Sequence, residues 1–248
     1  MKQPAAPTVI IVGATSTIAE AVARLYASEG ATLLLMGRNE ERLVQIAVDI
    51  RLRGAASVSV AAVDLVTADA QAVIEAFARQ LGQVDHILIA FGTMPDQNNA
   101  EKSPGILEQT IKVNLVYTAR WVLAAADLLE RQGRGSVVVL GSPAGDRGRR
   151  KNFIYGMSKA GLVTLVEGIA HRFAGRNPRA VVVKPGPTLT AMTANRPSPM
   201  MATPAQVALG IRRAADAGPP VQYVPGRWRW IMRLVRTLPT PLFNRLEF

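Results

Sequence analysis

The sequence predicts an α/β domain built on a doubly wound parallel sheet. Short, nearly continuous apolar runs alternate with stretches of helical periodicity, the pattern of strands covered by helices on both faces. Turn residues, glycine above all, close most of the apolar runs. The chain has 248 residues, 49% hydrophobic and 19% charged, enough for one large core and short for two.

The elements follow in order. "TVIIVG" (8–13) is a β-branched strand ending in glycine, and residues 17–29 carry Ile18, Val22 and Leu25 at helical spacing until Gly30 stops them. "ATLLLMG" (31–37) is a second buried strand, and 39–54 a helix with Asn39 as cap and acids in its first turn. Further strands are "ASVSVAAVDL" (56–65), "VDHILIAFG" (84–92), "GSVVVLGS" (135–142), "RAVVVKPG" (179–186) and "VQYVPG" (221–226). Helices are expected over 68–81, 105–131 and 153–174. The result is a Rossmann-type sheet of about seven strands in one domain, residues 1–226, followed by a basic amphipathic tail, 227–248.

Composition excludes several chemistries. Without cysteine there is no disulfide, thiolate zinc site or cysteine nucleophile, and a reducing cytoplasm fits. The only histidines, His86 and His171, read as structural, so no metal site is expected. No apolar run reaches the length of a spanning helix, and "MKQPAAP" lacks a signal-peptide core.

Ligands of such sheets bind beyond the carboxyl ends of the strands. The candidates are therefore Gly13 to Ile18, Gly37 and Arg38, Asp64, Ala90 to Gly92, Ser142, and Pro185 to Thr188. One further pair stands out. In "YGMSK", Tyr155 and Lys159 lie four residues apart in a helical stretch, on one face. A neighbouring ammonium stabilises a phenolate and is expected to pull the tyrosine pKa down from near 10 towards the working range. So placed, the pair can give a proton to an oxyanion or take one from an alcohol, and Ser142 can hydrogen-bond the same oxygen.

Taken together, the chain resembles the short-chain dehydrogenases/reductases along nearly its whole length. The pieces come in family order: "GATSTIA", "GR", "VDL", "AFG", "IKVNL", "LGS", "YGMSK" and "KPGPT". The resemblance implies a catalytic tetrad of Asn114, Ser142, Tyr155 and Lys159. It also implies a cofactor site drawn from Gly13, Thr15, Ser16, Thr17, Ile18, Arg38, Asp64, Leu65, Ala90, Gly92, Tyr155, Lys159, Pro185, Gly186 and Thr188. Thr17 and Ala19 stand where the second and third glycines of the loop are expected, so hydroxyl contacts and helix amides take over from glycine clearance. The second strand ends Met36-Gly37-Arg38, with no acid to repel a 2′-phosphate, which points to NADP(H). Asp64 would hold the adenine amino group, or else cap the helix starting near Thr67.

The implied reaction interconverts a ketone and a secondary alcohol. Tyr155 serves as acid or base, Lys159 tunes it and binds the nicotinamide ribose, Ser142 polarises the carbonyl, and Asn114 positions a relay water or bends its helix. The alternative is a catalytically silent module that senses NADP or scaffolds a partner. Family members are often dimers or tetramers, which implies a homo-oligomer. Met192, Met200 and Met201 are candidates for a short substrate lid in a loop.

Charge is unevenly spread. Residues 1–124 hold 10 Lys and Arg against 12 Asp and Glu, whereas residues 125–248 hold 19 against 6. "DRGRRK" (146–151) sets Arg147, Arg149, Arg150 and Lys151 near the expected substrate mouth, consistent with an anionic substrate or surface, or with a solvated loop. No recognition helix or RNA-binding motif accompanies the charge, so nucleic acid is not an expected partner. In the tail, Arg229, Arg233 and Arg236 form a stripe; Trp228, Trp230, Ile231, Met232, Leu234, Val235 and Leu238 fill the rest, and Pro239 ends the helix. Such a helix suits a membrane interface, or it buries its apolar face on the protein itself or a second subunit. The tail and "AFGTMPDQ" loosely resemble reductases of polyprenyl-phosphate-linked keto-sugars, such as the decaprenylphosphoryl-2-keto-ribose reductases, and so imply a lipid-linked sugar substrate.

Overall fold

Seven parallel strands form the sheet: β1 (Thr8–Val12), β2 (Thr32–Gly37), β3 (Ser57–Ala62), β4 (His86–Ile89), β5 (Ser136–Leu140), β6 (Arg179–Pro185) and β7 (Val221–Val224), in the spatial order β3-β2-β1-β4-β5-β6-β7. The structure is a computed structural model and describes residues 6–194 and 200–246. The chain's first five residues, part of the expected lid segment and the last two residues of the tail lie outside the described residues. The strand order reverses between β1 and β4, which opens a crevice above their carboxyl ends.

Alternation along the strands splits the core in two. Val9, Ile11, Leu33 and Leu35 face α1 (Thr17–Ser28), α2 (Glu40–Leu52) and α8 (Pro204–Asp216). Ile10, Val12, Leu34 and Met36 face α3 (Ala70–Leu81), α6 (Thr118–Gln132) and α7 (Phe153–Arg172). Both faces are dry, which accounts for strands that read as unbroken apolar runs. The expected caps and strands recur: Asn39 Oδ1 accepts from the Arg42 amide at 2.9 Å. The cap of α3 is Asp69, whose Oδ1 accepts from the Gln71 and Ala72 amides.

Two elements differ from the sequence reading. The single helix expected over 105–131 is α5 (Pro104–Ile111), a π-helical stretch (Lys112–Tyr117) and α6, with a short α4 (Gln97–Lys102) before them. Asn114, in the π stretch, is bonded sideways to Thr93, a tertiary tie that periodicity does not encode. A second difference is α8, not anticipated, although Thr203 and Gln206 form a capping box ahead of it and Pro204 opens it. The helix expected over 153–174 is α7, whose composition and 20 residues suffice to cross a bilayer. It is a core helix here, burying Ile154, Leu162, Val163, Val166 and Ile169.

The tail folds back onto the body. It comprises α9 (Arg227–Thr237) and α10 (Thr240–Phe243). Trp228 and Met232 are buried, so much of the apolar face expected to meet a membrane meets the protein instead. Arg147 Nη1 donates to the carbonyls of Val235 and Leu238 at 2.6 and 2.7 Å, capping the end of α9, and its guanidinium lies 3.8 Å from the centre of the Phe243 ring. Arg150 Nη2 donates to Asn244 O at 2.9 Å. Below them a buried ion pair joins Lys184 of β6 to Asp146, whose other oxygen accepts from the Tyr223 hydroxyl of β7 at 2.8 Å.

The turn after β5 presses on the start of α7. A methyl group at Gly156 would stand 2.5 Å from Ala144 O, and one at Gly145 would stand 2.8 Å from the Ala160 nitrogen. Gly156→Ala is expected to lower stability by about 1–3 kcal/mol through overpacking against backbone. Urea unfolding of the two proteins measures it, and an unchanged midpoint would show that the turn yields freely.

Candidate active site

One cleft of about 770 Å³ runs along the carboxyl ends of the strands. Its first wall is the turn between β1 and α1. Gly13 sits at φ +87°, and its amide and that of Ala14 both donate to Met36 O at 2.9 Å. A Cβ at Gly13 would lie 2.9 Å from Phe91 N and Cβ, so both conformation and clearance require glycine here. Ser16 caps α1, and Thr15, Ser16, Thr17 and Ile18 all line the cleft. The two absent glycines are accommodated differently. Ala19 puts its methyl fully inside the core, while Thr17 is exposed at the cleft edge.

Arg38 lies exposed on the second wall, beyond the end of β2, and makes no ion pair among the described residues. Asp64 and Leu65 follow β3. Asp64 Oδ1 accepts from the Val66 amide at 3.0 Å, and since Asp69 caps α3, the capping alternative for Asp64 does not hold.

At the other end, α7 brings Tyr155 and Lys159 to the cleft four residues apart, and Ser142 enters from the end of β5. Lys159 is buried, its Nζ donating to Leu140 O at 2.9 Å and lying 5.9 Å from the Tyr155 ring centre. Burial pushes the ammonium down to about 8. The expectation that Lys159 pulls the phenol down is not what dominates. Burial raises the Tyr155 pKa, and a side-chain hydrogen bond with Ser142 opposes that rise.

Asn114 is the one sequence-predicted site residue set behind the cleft wall. It is fully buried, Oδ1 accepting from Thr93 N at 2.7 Å and Nδ2 donating to Thr93 O at 2.8 Å and to Ser158 Oγ at 3.1 Å. Both of its side-chain donors are thus spent on protein, and Ser158 Oγ in turn donates to Tyr155 O. The carboxamide ties the segment after β4 to α7.

The remaining predicted residues, Ala90, Gly92, Pro185, Gly186 and Thr188, line the cleft as well. Of the three lid methionines only Met192 does. The basic loop divides: Arg147 and Arg150 grip the tail, and Arg149 lines the cleft. Sequence reasoning missed Thr93, Met94, Gln109, Asn152 and Trp228 as lining residues. Asn152 was within reach, three residues before Tyr155. Trp228 was not, because nothing local tells that its indole packs on Gly186, where a methyl group would meet Nε1 at 1.9 Å.

The cleft fits a dinucleotide on its own geometry. Gly13 clears the backbone, a capped helix N-terminus faces the same space, and unpaired Arg38 stands one strand away. Comparisons agree. Residues 7–200 match the short chain dehydrogenase family model. An uncharacterized oxidoreductase of Streptomyces coelicolor is 34% identical over 240 residues, covering 96% of this chain and 95% of its own. A Shigella flexneri protein of the short chain dehydrogenase class, solved in complex with NADP, is 26% identical, with a TM-score of 0.77 over 88% of this chain and 95% of its own. A short chain dehydrogenase from Mycobacterium paratuberculosis, bound to NAD, shares the fold at 20% identity, with a TM-score of 0.77 over 89% and 97%. The chain is a member of the short-chain dehydrogenase/reductase family, an oxidoreductase on a seven-stranded Rossmann-like sheet.

Proposed function

We propose that the protein is an NADP(H)-dependent oxidoreductase interconverting a ketone and a secondary alcohol. The observation that carries the reading is the convergence of Ser142, Tyr155 and Lys159 on the same cleft as Gly13 to Ile18 and Arg38. Bound NADPH would supply the hydride; the chain's own groups do the rest. Ser142 hydrogen-bonds the carbonyl oxygen and fixes it beside the phenol. Tyr155 donates its proton as that oxygen becomes an alkoxide, and in reverse accepts it from the alcohol. A phenol kept protonated by burial suits the reductive direction. Lys159, its Nζ held by Leu140 O, keeps positive charge near the phenol and would hold the ribose of the bound cofactor. Asn114 keeps α7 in register with the segment after β4. The complete polar set argues against a silent sensor or scaffold.

A peripheral membrane site is the second reading. Residues 217–246 hold Arg227, Arg229, Arg233, Arg236 and Arg245 and no acid. Trp230 and Leu234 remain 59% and 64% exposed on α9. A few apolar side chains among arginines support contact with an anionic bilayer, and a lipid-linked keto-sugar, as the resemblance implies, would be presented there.

Tyr155→Phe is expected to cut turnover of a reducible ketone by about 10²–10⁴-fold while NADPH binding, read by nucleotide fluorescence, stays unchanged; a variant retaining most of kcat refutes the assignment. Arg38→Ala is expected to weaken NADP about ten- to a hundredfold and NAD little, by titration calorimetry. Equal binding of both cofactors by the native protein would contradict it. For the tail, wild type should sediment with vesicles containing phosphatidylglycerol, and Trp230→Ser with Leu234→Ser should stay in the supernatant. Identical sedimentation of the two would end the membrane reading.

A further inference from the structure

Among the described residues, four buried side-chain atoms have no hydrogen-bond partner: Arg149 Nε, Asn152 Oδ1, Trp228 Nε1 and Arg179 Nε. The first three line one cleft. Buried polar groups without partners are uncommon, because each has lost its water for nothing in return. Three of them around one cavity mark positions where a bound molecule supplies the partners. Trp228 Nε1 packs on Gly186, on the cofactor side. Arg149 and Asn152 belong to the other side, six and three residues before Tyr155, and the Asn152 amide donates to Arg149 O at 3.0 Å.

Asn152 is unusual in a second, independent way. It is the N-cap of α7, the position where an asparagine oxygen ordinarily accepts a helix amide, yet it makes no capping bond. Its carbonyl oxygen is a buried acceptor that its own helix does not use. Arg149 makes no ion pair among the described residues, and Asp146, whose charge acts on it, is already engaged by Lys184 and Tyr223. Its neighbours Arg147 and Arg150 hold the tail, so Arg149 alone of the three faces the cleft. A guanidinium without a carboxylate calls for an oxyanion, and a lone acceptor calls for a hydroxyl.

Resting on the oxidoreductase reading above, we infer that Arg149 and Asn152 are the substrate-specificity pair of this enzyme: Arg149 binds an oxyanion of the substrate, phosphate or carboxylate, and Asn152 accepts from a hydroxyl beside it. The substrate class is a hydroxylated ketone or alcohol bearing that anion, oriented with its reacting carbon at Tyr155.

The test is titration calorimetry on the full chain saturated with NADP, using inorganic phosphate, sn-glycerol 3-phosphate and D-glycerate as probes. Wild type should bind at least one saturably, glycerol 3-phosphate more tightly than phosphate, and the stronger of the phosphate and glycerate arms identifies the anion. Arg149→Gln should weaken the bound probes by about tenfold or more. Asn152→Ala, which loses no capping bond, should leave phosphate unchanged and abolish the advantage of glycerol 3-phosphate. No saturable binding in wild type, equal binding by Arg149→Gln, or anion binding that disappears once NADP is added would each overturn the inference; the last would mean that the anion had occupied the cofactor's phosphate loop. Failure of the oxidoreductase reading shows separately, as no ketone turnover by wild type in the Tyr155→Phe comparison.

Discussion

Two hydrogens in place of methyl groups, at Gly145 and Gly156, let the turn after β5 lie directly on the first turns of α7. The rest of the site depends on that contact. Ser142 stands at the start of the turn, Tyr155 and Lys159 on the helix, and the Lys159 ammonium is held by the last carbonyl of the strand. A helix and a strand end separately fix directions; only their close approach fixes distances between side chains. Asn114 adds a separate tie, joining the segment after β4 to α7 through Thr93 and Ser158.

Positive charge in the second half of the chain separates into different tasks. Lys184 is neutralised by Asp146 inside the protein, and this buried pair with Tyr223 anchors the loop that leaves the turn. Arg147 and Arg150 spend their donors on carbonyls of the tail, near its helix ends. Arg149 lines the cleft, and Arg229, Arg233 and Arg236 stay on the surface. Net charge predicts none of this sorting, since the sorting is made by hydrogen-bond geometry.

Much of the fold was legible because the core is simple. Strands such as Val9 to Val12 and Leu33 to Met36 are dry on both faces, and helices between them begin at polar caps such as Asn39. Strand ends then located most of the cleft, since a parallel sheet exposes its ligands there. Reading failed where partners come from far along the chain. The carboxamide of Asn114 is consumed by Thr93 and Ser158, the Tyr155 pKa answers to burial and to Ser142, and Trp228 turns inward while Trp230 turns outward. Periodicity ranked those two tryptophans alike, and only docking against Gly186 separates them.

The placement of Trp228 has a consequence for biosynthesis. The sheet can assemble in order as the chain emerges, because its strands follow one another and pair with neighbours already made. The cleft cannot be completed so early. One of its walls lies on the second residue of α9, and the loop carrying Arg149 is clamped by carbonyls further on still, at Val235, Leu238 and Asn244. A chain that stops short of α9 therefore lacks both a lining residue of the cleft and the carbonyls that clamp the loop carrying Arg149.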